Sequence, residues 1–238
     1  MVVWVFAGGG ESEIRGLMPF LGKHFSSCNF ERRTPVRLKW GPKPGVKTKD
    51  VGMGKTGKDL ARQITRELDA ALRGGRCDLI LVIDDLDCFC REERHKLLLE
   101  AISKIPDAAA ISRVIAFAAP EIESWIIADW DNTVAKHIDF RGCAKAMQHW
   151  LSKEKKVVFA DPESFGEYDP ERKTCKEKLS DQIIEASLEH GARNSYSKGT
   201  HTPHFLREIE PTVVARKCPL FKLFYNEMIK MDKDLQGP

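Results

Sequence analysis

Five consecutive aliphatic residues, Leu79-Ile80-Leu81-Val82-Ile83, run straight into Asp84, Asp85 and, one residue later, Asp87. So short an all-apolar run fits a strand buried on both faces, as in a parallel sheet. In such sheets ligand sites lie beyond the carboxyl ends of the strands. Three carboxylates at that point repel one another unless a cation neutralises them, and a hard divalent ion such as Mg²⁺ is the usual solution. This one segment therefore argues for an α/β fold and places its chemistry at a strand end.

The rest of the chain alternates in the same way. Val2 to Ala7 reads as a first strand, Gly8-Gly9-Gly10 as a turn, and residues 13–25 as a helix capped by Ser12. Segment 30–40 alternates basic and apolar residues and predicts an edge strand. Leu60, Ile64, Leu68 and Leu72 predict an amphipathic helix over 58–73, closed by Gly74-Gly75. A helix over 91–104, a strand over 113–118 and a helix from Pro120 to Trp130 follow. This strand–helix alternation predicts an α/β sandwich. The expected division is an α/β core over 1–135 and a helical extension over 136–238, packed as one unit. Within the extension, residues 138–181 read as polar and mostly helical. Helices are predicted over 176–189, 204–209 and 220–231, a loop over 194–203, and a frayed C-terminus.

Two further acidic groups stand where strands end. Glu11 and Glu13 follow the glycine turn, and Pro120-Glu121-Ile122-Glu123 with Asp129 follows the third strand candidate. On an unbroken helix Glu121, Trp125 and Asp129 would share one face and Glu123 would point elsewhere. Acids in a first turn also suit the helix dipole without any ligand. The glycine turn is no dinucleotide fingerprint, because GxGxxG needs glycine where Glu13 stands. Gly54-Lys55-Thr56 is no Walker A motif, because Lys49 occupies the place of its first glycine and no apolar strand precedes it. There is no GxSxG elbow for a serine hydrolase and no HExxH, and His201 and His204 read as solvated loop residues beside Lys198.

A net charge of +3 over 238 residues makes no global case for nucleic acid, but the charge is unevenly placed. Between Arg32 and Lys58 only Asp50 offsets a basic, glycine- and proline-rich stretch. Its lysines Lys43, Lys47, Lys49, Lys55 and Lys58 are candidates for phosphate contacts, or simply a solvated surface loop. The seven scattered cysteines carry no repeated CxxC and are expected to be reduced, buried thiols. No apolar run reaches the roughly 18 residues of a membrane helix. The N-terminus lacks the features of a leader, so a cytoplasmic location is expected.

Taken in order, strand–Gly-x-Ser-Glu–helix, aliphatic strand–Asp-x-Asp, and Pro-Glu-Ile-Glu-x-Trp-x-x-x-Asp resemble the Toprim-like proteins. Within them the closest likeness is to the family called domain of unknown function 4276. Tyr196-Ser197-Lys198, Phe205-Leu206-x-x-Ile209 and Lys217-Cys218-Pro219-x-Phe221 are similar to that family's ending. The resemblance implies a four-stranded parallel sheet between helices. It also implies a glutamate after the first strand and an Asp-x-Asp after a later one, which together bind Mg²⁺ or Mn²⁺ for cleavage of nucleic acid. The related nucleases of phage-defence ATPases use Glu-Gly-x-x-Glu, whose second acid matches Glu13 and whose first falls on Gly9. An ABC-type ATPase partner is implied by the same kinship.

The leading expectation is thus a Mg²⁺-dependent phosphodiester hydrolase acting on nucleic acid, DNA ahead of RNA. Glu13, Asp85 and Asp87 form its metal shell. Glu11, Asp84, Glu123 and Asp129 are further candidates, and Lys198 would meet a phosphate oxygen. Two alternatives stay open. One is a catalytically impaired, regulatory subunit of an ATPase complex, favoured by Gly9. The other is a binder of a small phosphorylated ligand at the glycine turn.

Overall fold

The computed structural model describes residues 1–36 and 54–236. Strands β1 (Val2–Ala7), β2 (Asn29–Thr34), β3 (Leu79–Asp85) and β4 (Ser112–Ala118) form one sheet in the order β2-β1-β3-β4. All three pairings are parallel, so the four strands end at one edge. Helices α1 (Glu11–His24), α2 (Gly57–Leu72) and α3 (Arg91–Ser103) connect them. The α/β sandwich expected from the alternation is therefore present, with β2 as the edge strand. Among the described residues no helix is long and apolar enough to cross a membrane.

Past β4 come α4 (Glu123–Ala128), α5 (Ala144–Lys153), a small hairpin of β5 (Tyr168–Asp169) and β6 (Thr174–Cys175), then α6 (Leu179–Glu189). The chain closes with α7 (His201–Glu208), α8 (Pro211–Lys217) and α9 (Pro219–Gln236). Several boundaries differ from expectation. Helix α1 starts from an extended Gly10, with Ser12 already inside its first turn. The helix expected from Pro120 begins only at Glu123 and ends at Ala128, so the helical-face argument does not hold for Glu121. Residues 138–181 hold one full helix, α5, among turns and the hairpin, because their apolar residues lack a sustained 3.6-residue period. Helix α7 starts three residues earlier than expected, α8 adds a helix over Pro211–Lys217, and α9 runs on to Gln236; Gly237 and Pro238 lie outside the described residues.

Side-chain alternation along the strands creates two apolar layers. Val3, Val5, Leu79, Leu81, Ile83, Val114 and Ala116 face a core built with α1 and the helices of the C-terminal half. There Trp125 meets the Phe221 ring edge-on at 4.8 Å. Trp4, Phe6, Ile80, Val82 and Phe117 face the opposite way, onto α2 and α3.

The same parity separates Asp84 from Asp85. Asp84 continues the face of Ile80 and Val82. There its Oδ2 accepts from Arg94 Nη1 at 2.9 Å and from the Gly57 amide at 3.0 Å. Gly57 sits at φ +53, and a Cβ on it would lie 2.5 Å from the same guanidinium. Burial pushes the Asp84 carboxyl up to about 6 although Arg94 opposes the shift. Asp85 continues the face of Leu81 and Ile83 and points into the other layer.

The loop after β3 carries an unexpected bond. Cys88 and Cys175 form a disulfide that ties this loop to β6. The expectation of seven reduced thiols is corrected on that point. The pairing joins positions 87 residues apart, which no local spacing could announce.

Arg94 and Asp84 are both buried, so removing one strands a charge. Arg94→Met is expected to cost about 3–5 kcal/mol in urea unfolding. Adding Asp84→Asn should recover a substantial part of that loss. A cost below about 1 kcal/mol would show that the pair does not hold this face of the strand end.

Candidate functional site

On the Asp85 side of the sheet four carboxylates meet one ammonium. Glu13 comes from the first turn of α1, Asp85 from the last residue of β3, Glu121 and Glu123 from the turn and helix start after β4. Each is buried, Glu123 completely. Lys198 enters from the loop between α6 and α7. Its Nζ lies 3.4 Å from Glu121 Oε1 and 3.2 Å from Glu123 Oε2.

Local backbone geometry puts each acid there. Gly9 adopts φ +66, and a Cβ at that position would lie 1.6 Å from Glu13 Oε2. The Glu13 carboxylate thus fills the space that a side chain at residue 9 would need. Glu121 accepts the Ser180 amide at 3.0 Å and its hydroxyl at 2.9 Å, both at Oε2. Glu123 Oε1 accepts from the Thr202 hydroxyl at 2.9 Å. The Tyr196 hydroxyl, 2.7 Å from Thr202 Oγ1, completes a buried Tyr–Thr–Glu chain. Glu123 Oε2 is buried without an aligned hydrogen bond among the described residues.

The electrostatics reflect four acids around one base. Burial, then Glu123, push the Glu13 carboxyl up to about 8, with Lys198 opposing and Glu121 adding. Burial holds Asp85 well above the usual carboxylate range, and Glu13 is its strongest charged neighbour. Burial raises Glu123 as well, against the pull of Lys198. Burial disfavours the Lys198 ammonium, but Glu123, Glu121, Asp85 and Glu13 together outweigh it and hold its pKa above that of an ordinary lysine.

Other candidates named from the sequence go elsewhere. Glu11 pairs with Arg32 through two short contacts, at 2.8 and 2.6 Å. Asp84 pairs with Arg94 on the opposite face of the sheet. Asp129 receives the Glu210 amide at 2.7 Å and the Asn132 side chain at 2.8 Å, joining α4 to the start of α8. Asp87 adopts φ 49, so the Asp-x-Asp pair splits. Burial raises its pKa, and Lys178 is the cation that opposes the shift most. It lines a cleft of about 680 Å³ between the starts of α2 and α3, together with Lys58, Arg62, Phe89 and Lys173. Lys55 lies 3.9 Å from Asp59, and Lys43, Lys47 and Lys49 fall outside the described residues.

The histidine expectation is corrected for His201, which is buried at the start of α7, while His204 is exposed. His137, Asp139 and His201 offer ligand atoms within 4.8 Å of one another, close enough for a single ion. The hydrogen bonds assign His201 a different task. Its Nδ1 accepts the Ser197 amide at 2.8 Å, so the ring proton sits on Nε2 and faces Asp139 Oδ2 at 3.3 Å. Asn194 donates to the other Asp139 oxygen at 3.0 Å. His201 and Asp139 thus fix the loop that carries Lys198.

Ser180 and Thr202 were not among the sequence candidates, Tyr196 entered only through the resemblance, and Glu121 was named in the acidic group after β4 but not as a metal or catalytic residue. For Glu121 a signal existed, since Glu121-x-Glu123 after β4 repeats the spacing of Asp85-x-Asp87 after β3. Ser180 and Thr202 carry no local signal.

A raised Glu13 pKa has a definite sign. Between the unfolded value near 4.3 and the folded value near 8 the native state holds a proton that the unfolded chain has released. Stability therefore falls as pH rises through that window. Glu13→Gln imitates the protonated form, so in EDTA its melting temperature should fall less than that of wild type between pH 6 and 8.5, by a few degrees. Parallel melting curves across that range would contradict the buried, protonated Glu13.

No curated protein and no solved structure matches the chain. One family model does, over residues 10–229, which takes in Glu13, the acids after β3 and β4 and the Lys198 loop. The chain belongs to the family described as a domain of unknown function, DUF4276.

Proposed function

We propose that the chain is a Mg²⁺- or Mn²⁺-dependent phosphodiester hydrolase of the Toprim type, acting on nucleic acid. The convergence of Glu13, Asp85, Glu121 and Glu123 at one strand edge carries this reading. The donor set fits a hard divalent cation: all oxygen, mostly carboxylate, with one buried oxygen of Glu123 lacking an aligned hydrogen bond. Glu13, Asp85 and Glu123 would hold the ion, and Glu121 would support them through Ser180. When bound, such an ion acidifies a coordinated water and neutralises charge on a phosphoryl group.

The chain's own residues supply the rest. The Tyr196–Thr202 hydrogen bonds fix the rotamer of Glu123, so that carboxylate is oriented in advance. Lys198 stands ready for a phosphate oxygen at the same edge. Beside the starts of α2 and α3, Asp87 lines a cleft in which Lys58, Arg62 and Lys173 can meet the phosphates of a strand. DNA is the preferred substrate on this reading and the cytoplasm the expected location.

A second reading has its own observation. Lys198 already neutralises part of the cluster and Glu11 is committed to Arg32, as in a metal site put to structural use. The chain would then be a regulatory subunit of an ABC-type ATPase complex.

Plasmid cleavage in Mn²⁺ separates them. The hydrolase reading expects nicking by wild type that Asp85→Asn lowers at least 100-fold. Asp129→Asn should leave the rate within a few-fold, because its carboxylate is bonded to α8. Cleavage that survives Asp85→Asn would overturn the assignment.

A further inference from the structure

We propose that Lys198 is a resident counter-cation, which must swing off Glu121 and Glu123 before a divalent ion can bind the cluster. This rests on the metal-binding reading above and deepens it.

The argument starts from the charge count. Among the described residues, Lys198 is the side-chain cation that acts by its charge on each of Glu13, Asp85 and Glu123. Without it, the charged acids of the cluster would have protons as their remaining source of neutralisation among the described residues. A second positive charge in the same space is disfavoured while the ammonium remains.

The lysine's contacts are also longer than those of the tighter ion pairs. Its contacts of 3.4 and 3.2 Å are long beside the 2.9 Å of Arg94–Asp84 or the 2.7 Å of Lys155–Glu185. Only the Glu121 contact has hydrogen-bond geometry. The Lys198 side chain is 35% exposed, against 3% and 0% for its two partners, so it reaches into the cluster from the solvent side.

What stays behind is fixed independently. Glu121 keeps Ser180, and Glu123 keeps Thr202. The loop backbone stays pinned through Ser197–His201–Asp139–Asn194. The motion is therefore confined to the flexible lysine stem. The acidic shell is preorganised, and its occupant is tethered but removable. The released ammonium remains at the same edge, placed to meet an incoming phosphate.

The test is calorimetric titration of Mn²⁺ into the full chain at pH 8. Lys198→Met should bind about tenfold more tightly than wild type, because the competing charge is gone. Asp85→Asn should not bind in either background. Equal or weaker binding by Lys198→Met, with wild type binding normally, would overturn the displacement while leaving the metal reading intact. Absence of binding by both wild type and Lys198→Met would overturn both. Should Lys198→Met fail to fold, lysine acetylation of wild type followed by mass spectrometry replaces it. Mg²⁺ should then raise the Lys198 modification rate several-fold while leaving that of the exposed Lys145 unchanged. An unchanged or slower Lys198 rate would overturn the proposal.

Discussion

Four buried carboxylates share one ammonium at the edge of the sheet, and the structure around them is organised by that imbalance. Concentrating like charge in a low-dielectric setting is costly unless the charges are neutralised by protons or cations. Here both occur. Glu13 holds a proton up to about pH 8, and the half-buried Lys198 is held charged by the carboxylates around it. Ser180, Thr202 and Tyr196 supply hydrogen bonds to oxygens that would otherwise go without.

Sheet geometry turns a sequence cluster into a spatial one. The period-two alternation of β3 sends Asp84 to the α2–α3 side and Asp85 to the other. Asp84 then forms the Arg94 pair, which anchors Gly57 and the start of α2. Asp85 joins the acids delivered by α1 and by the segment after β4. Neighbouring aspartates thus do different work: one holds a helix against the sheet, the other contributes to the site. The C-terminal half adds what the core lacks, a cation and the hydroxyls that orient the acids.

The fold was largely legible because its signals are local. Aliphatic runs in β1, β3 and β4 and the four-residue leucine spacing of α2 each declare an element within a short window. The acids at three strand ends were legible for the same reason, and Glu13 with Asp85 and Glu123 do converge. Alternation along Ile83-Asp84-Asp85 could have divided the aspartates, but which face held which partner is a tertiary fact. Asp87 escaped because its left-handed backbone turns it away from its neighbour. The Cys88–Cys175 bond, the Ser180–Glu121 contact and the burial of His201 join segments remote in sequence, and no pattern within one segment encodes them.

Diffraction from a crystal soaked in Mn²⁺, recorded for anomalous signal, tests the shared ion most directly. A peak bounded by the carboxylates of Glu13, Asp85 and Glu123 is the expected result. An ion held only by His137, Asp139 and His201, or no anomalous peak beside Asp85, would contradict it.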